Sequence, residues 1–146
     1  MKTLILSLGL LFAGVSYAVE EPLYKQHGDY SIFYSAFNSS FIAPDIAVAN
    51  NIVRGKDKGI VNIAMVKDLG KGEEGEVTGT VSNILQQTQT LEFVAVREQN
   101  TVYYLAPFEF DNEDFLTFKI RVRPESKDAK TIYPYEFKFQ KKMYLD

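Results

Sequence analysis

The chain of 146 residues contains no cysteine and a single histidine, His27. Without cysteine there are no disulfides, no thiol nucleophile and no thiolate metal site, so stability has to come from packing alone. With one histidine, a two-histidine metal site within one chain is excluded, and a Ser-His-Asp arrangement would have to use His27. The sequence also lacks a Gly-x-Ser-x-Gly elbow, a phosphate-binding loop and a dinucleotide fingerprint. It lacks an excess of positive charge: the formal net charge is -3, which argues against nucleic acid as a partner. No uncharged apolar run reaches the roughly 20 residues needed to span a bilayer.

What the N-terminus does have is Lys2, an apolar run from Leu4 to Val15, and the small-residue pattern Ser16-Tyr17-Ala18. That order of basic residue, short apolar core and small residues is a secretory signal peptide, with cleavage expected after Ala18. Val19, Glu20 and Glu21 follow with no basic flank, which disfavours a membrane anchor, and no cysteine stands near the cut to carry a lipid. Removing residues 1–18 leaves 146 − 18 = 128 residues, 19–146, enough for one domain with a real core. Losing Lys2 takes the formal charge from -3 to -4.

The rest of the chain reads as strands. Thr101 to Pro124 gives two strand-like arms around an acidic turn, and in the second arm Leu116, Phe118, Ile120 and Val122 alternate strictly with Thr117, Lys119, Arg121 and Arg123. In the first arm both faces carry apolar residues, and Pro107, which cannot donate to a ladder, predicts a sheet edge or bulge. Further strands are expected over Tyr30 to Phe37, Ile60 to Val66, Glu76 to Asn83, Thr90 to Arg97 and around Tyr135 to Gln140. Pro44 to Asn50, with Asp45 in its first turn, predicts one short helix. Lys67 to Glu76, with three glycines, reads as a flexible polar loop. About seven short strands at roughly ten-residue spacing point to an antiparallel, immunoglobulin-like β-sandwich, in preference to a lipocalin-type barrel with its longer strands and cavity.

The chemical candidates are few. Asp111, Asn112, Glu113 and Asp114 are oxygen ligands that a calcium ion could use, but their spacing is not that of an EF-hand and an acidic hairpin tip explains them as well. Glu73, Glu74 and Glu76 sit among glycines and read as mobile rather than as a cage. His27 precedes the first strand and needs no role beyond that of a surface histidine. Asn38-Ser39-Ser40 matches the glycosylation acceptor pattern, which capping or turn formation accounts for. Tyr103 and Tyr104 point to opposite faces, so at most one can belong to a sugar-binding platform. Lys119, Arg121 and Arg123 form an outward basic row, and if the last strand pairs with theirs, Lys138 and Lys142 join it. Such a face suits an anionic lipid, glycan or acidic protein, although edge strands also carry charge simply to resist aggregation. No residues imply a cofactor.

Several blocks resemble one family. They are Gly28-Asp29-Tyr30, Tyr34-Ser35-Ala36-Phe37-Asn38-Ser39 with Phe41 and Pro44, Lys58-Gly59-Ile60-Val61-Asn62-Ile63, Tyr103-Tyr104-Leu105-Ala106 with Phe108, Phe110, Asp111 and Asn112, then Arg123-Pro124 and Phe139-Gln140. Together they are similar to exported proteins of Gram-negative bacteria grouped as domain of unknown function 4426. The resemblance implies a periplasmic all-β domain and brings no assigned activity. The expected function is therefore a non-enzymatic binding module of the cell envelope. The alternatives are a hydrolase built on carboxylates such as Asp29, Asp111 or Glu113, which requires them to gather in a cleft, or a carrier of a small apolar ligand.

Overall fold

The computed structural model describes residues 23–67, 70–125 and 134–146, so the expected signal peptide lies outside the described residues. Among the described residues ten strands form two antiparallel sheets. The first runs β1 (Tyr24–His27), β2 (Tyr30–Asn38), β3 (Lys58–Lys67), β8 (Thr101–Glu109), β7 (Val94–Glu98), with the short β4 (Lys71–Glu73) also paired to β3. The second runs β10 (Tyr135–Met143), β9 (Asp114–Pro124), β5 (Gly75–Ser82), β6 (Thr88–Leu91). Between β2 and β3 lie a 3-10 turn (Ser39–Phe41) and the helix α1 (Pro44–Ala49).

Period-two alternation sets which side chains meet between the sheets. From the first sheet come Tyr30, Ile32, Val61, Ile63, Met65, Val102, Tyr104, Ala106 and Phe108; from the second, Val77, Val81, Leu116, Phe118, Ile120 and Val122. β3 and β8 are apolar on both faces because both are covered. Ile60 and Leu105 turn away from the sandwich core and form a second cluster with Ala47 of α1 and Ile52. The six-residue helix is too short to persist alone, and this cluster is what holds it.

Three differences from the sequence reading account for ten strands rather than seven. Thr90 to Arg97 is two strands: β6 belongs to the second sheet and β7 to the first, and the chain changes sheets at Glu92-Phe93. Leu91 and Phe93 both face the core, so the alternation runs through the crossing without a break and hides it. The lead-in before Tyr30 forms β1, which pairs with β2. The expected flexible loop instead contains β4 and the start of β5. Two of its three glycines serve close approach, a Cβ at Gly72 standing 2.6 Å from the Asn100 carbonyl oxygen and one at Gly75 2.4 Å from that of Arg123, whereas Gly70 takes a positive φ of 94° in open space.

Pro107 sits past the end of β7, whose pairing with β8 reaches only to Leu105, so the missing N–H leaves no ladder bond unmade there. Just beyond it, the side-chain amide of Gln89 takes the place of a strand. It accepts from the Glu109 N–H at 2.9 Å and donates to the Glu109 carbonyl at 2.7 Å, joining the two sheets.

Ser39 is fully buried, and its hydroxyl both accepts from Gly55 N–H and donates to Gly55 O, each at 3.0 Å. Ser39→Ala leaves both groups without that partner, and a buried unpaired group costs roughly 1–3 kcal/mol. The expected result is a fall in melting temperature of about 5 °C, read by thermal denaturation; an unchanged midpoint would show that water replaces the hydroxyl.

Candidate functional site

The outer face of the second sheet carries the basic row. β9 is bounded on one side by β10 and on the other by β5, so each of its outward residues has two lateral neighbours. Lys119 lies opposite Lys138 on β10 and Thr80 on β5; Arg121 lies opposite Glu136 and Thr78; Arg123 lies opposite Glu76. Lys138 thus joins Lys119, Arg121 and Arg123 on one surface, and Thr78 and Thr80 place that face in water.

Charge on this face is unevenly matched. Arg121 has Glu136 at 3.7 Å, whereas no carboxylate among the described residues stands within ion-pair distance of Lys119 or Lys138. Like charges directly opposite on neighbouring strands destabilise a sheet, so this lysine pair works against the fold. Around it is a shallow hollow of about 460 Å³, lined by Gly79, Thr80, Lys119, Ile120, Arg121, Glu136, Phe137 and Lys138. A second hollow, with Glu76, Thr78, Arg121 and Arg123, continues along the same face. Lys142 is one step further, opposite Phe115, and its ammonium lies 5.6 Å from the centre of the Tyr144 ring.

The other candidates fall elsewhere. His27 stacks on Tyr135 with ring centres 4.2 Å apart, tying the β1 edge of one sheet to β10 of the other. In the acidic turn two of the side-chain oxygens accept backbone hydrogen bonds. Asp114 Oδ2 accepts from Asp111 N–H at 2.8 Å, and Asn112 Oδ1 accepts from Leu145 N–H at 3.0 Å. Glu74 pairs with Arg97, whose guanidinium is held above its ordinary value by that hydrogen bond and charge. Asp29 stands at the β1–β2 turn, beside the Lys67 end of β3, while Asp111 and Glu113 stand beyond its Lys58 end. Ten residues of strand separate them, about 30 Å. The three carboxylates named for a hydrolase therefore do not gather in one cleft.

Asn38 makes no cap for the 3-10 turn. Its amide instead donates to Tyr144 O at 2.8 Å and Asp146 Oδ1 at 3.0 Å. Asn38 and Asn112, in two separate blocks of the family resemblance, thus hold the same C-terminal segment. Nothing in single-sequence periodicity could show this, because the contacts span 106 and 33 residues.

Solved structures share this architecture. A DUF4426 family protein from Pseudomonas aeruginosa PAO1 is 32% identical, with 86% of this chain and 96% of that chain aligned and a TM-score of 0.74. FetP of uropathogenic Escherichia coli strain F11, recombinantly expressed in the periplasm of E. coli, matches at TM-score 0.63 and 10% identity over 85% of this chain and 94% of that one. A copper-bound variant of FetP matches at the same score and identity, over 83% and 93%. At that identity the likeness shows the fold alone. Among the described residues here no three histidine, cysteine, aspartate or glutamate side chains converge to hold a metal. No curated protein matches the sequence. The model of the family described as "Domain of unknown function (DUF4426)" matches residues 24–146, and with the Pseudomonas relative it establishes that this chain belongs to that family.

Proposed function

We propose that the protein is a non-enzymatic binding module of the bacterial periplasm whose outer second-sheet face holds an anionic component of the envelope, such as a phosphorylated lipid. The observation that carries this reading is the cross-strand pair Lys119–Lys138, two lysines on directly opposite positions that line one solvent-open hollow, with no carboxylate among the described residues within ion-pair distance of either. A bound phosphate would supply the missing charge to both lysines, with Arg121 beside them as a further donor. The signal-peptide pattern supports export, with residues 19–146 as the mature domain. No helix among the described residues is long and apolar enough to cross a membrane.

The test is sedimentation of the mature protein with vesicles of phosphatidylglycerol or, separately, phosphatidylcholine. Binding is expected to the first and not the second, weakening steeply between low and high salt. Lys119→Glu, Arg121→Glu and Arg123→Glu together, in a variant whose melting midpoint is unchanged, should weaken it at least tenfold. Equal binding to both lipids, or indifference to the three reversals, would overturn the reading.

A further inference from the structure

A second site lies at the side of the sandwich, where side chains but no backbone ladder link the two sheets among the described residues. β1 pairs with β2 only from Tyr30 to Phe33, and the ladder ends with Tyr34 N–H donating to Leu23 O. From Ser35 onward no described strand pairs with that edge of β2. Facing it across the gap is β10, the edge strand of the second sheet. Between them is a crevice of about 390 Å³, with Tyr34 and Phe139 as its floor and Lys25, Lys138 and Lys141 around it.

Two features distinguish this crevice from an ordinary edge. The first is its floor. Tyr34 and Phe139 pack ring to ring at 4.5 Å, Phe139 stacks in turn on the buried Phe118 at 4.7 Å, and Leu23 adds an exposed apolar wall. The second is its charge. Among the described residues three lysines line it and no carboxylate does. Lys25 reaches over the Tyr34 ring, its ammonium 5.9 Å from the ring centre, and Lys141 reaches from β10 to donate to the Ala36 carbonyl on the stretch of β2 beyond β1. An aromatic floor favours an apolar body, and unopposed ammonium groups favour an anionic head.

We infer that this lateral crevice binds a single-chain anionic amphiphile, with the chain on Tyr34 and Phe139 and the head among Lys25, Lys138 and Lys141. The inference extends the proposed function, because Lys138 lines both this crevice and the hollow on the sheet face. A ligand in the crevice would therefore place its head beside the basic face.

The mature protein is titrated calorimetrically with decyl phosphate below its micelle concentration. Inorganic phosphate and decyltrimethylammonium are run as separate arms, and the Tyr34 and Phe139 ring resonances are followed by NMR. Decyl phosphate should bind and shift both rings, while the other two probes bind at least tenfold more weakly. Lys25→Gln combined with Lys141→Met should weaken decyl phosphate about tenfold, and Lys25→Gln alone, at an exposed edge where folding is not at issue, about threefold. The variant reversed at 119, 121 and 123 should retain decyl phosphate binding within about threefold, which separates this site from the face. Equal binding of inorganic phosphate would reduce the site to an anion contact, and equal binding of the cationic amphiphile to a greasy surface. Either result, or a Lys25→Gln variant that binds like the parent, would overturn the inference.

Discussion

Phe118→Ala is expected to destabilise the protein by about 4 kcal/mol, lowering the melting midpoint by about 15 °C. Phe118 is fully buried at the middle of β9, one of the two interior strands of the second sheet. Its ring meets Phe108 of the first sheet edge-on at 5.2 Å and stacks on Phe139 of β10 at 4.7 Å. Truncation therefore removes the apolar transfer energy of the ring, two aromatic contacts and one of the links between the sheets, and it leaves a cavity that rigid strands fill poorly. Phe115→Ala serves as the control. It lies three residues away, is 43% exposed on the outer face of the same strand, and should change stability by less than about 0.5 kcal/mol. Thermal denaturation of the two variants decides the matter. Similar midpoints for both would mean that Phe118 is not the packing centre described.

Where burial alternated cleanly, the fold was legible in the residues. Leu116 to Val122 declared β9 and its two faces, and both the inward apolar row and the outward basic row stand where alternation put them. The apolar content of Ile60 to Val66 marked a strand covered on both sides, and α1 with Ile52 is what covers its second side. What could not be read was set by contacts between distant residues. The sheet change at Glu92-Phe93 is invisible because both sheets share one core and the same parity serves each. Gly72 and Gly75 looked like flexibility because a glycine that makes room for a neighbouring backbone and one that loosens a loop are the same residue in sequence. For the candidate site, the basic face needed only the pairing of β9 with β10, so Lys138 could be named in advance. The crevice could not be anticipated, since it depends on where β1 stops and on which edge β10 faces. Likewise the roles of Asn38 and Asn112 in holding the C-terminal segment belong to the tertiary structure alone.

Gly59→Ala should lower stability by about 2–3 kcal/mol, although replacing a strand glycine with alanine ordinarily helps by roughly 0.5–1 kcal/mol. The sign reverses because of one ring. Gly59 on β3 lies opposite Phe108 on β8, and the Phe108 ring lies across the glycine; a Cβ at position 59 would stand 2.2, 2.6 and 2.8 Å from three of its carbons. Those carbons belong to a side chain 2% exposed that packs against Phe110 and Phe118, so the ring shifts only by disturbing those contacts. Even one methyl group must displace it, and the disturbance passes directly to Phe118. The coupling is measurable with a double-mutant cycle. Phe108→Leu alone should destabilise by the loss of the ring, but Gly59→Ala added to Phe108→Leu should then be nearly neutral, an interaction energy of about 2 kcal/mol between the sites. Additive losses in the cycle, or a Gly59→Ala variant that melts above the parent, would show that the ring does not rest on position 59. A clear coupling would mean that the Lys58-Gly59-Ile60 block and the distant Phe108 in the resemblance to the family are two halves of one packing contact, with the glycine retained to make room for the ring.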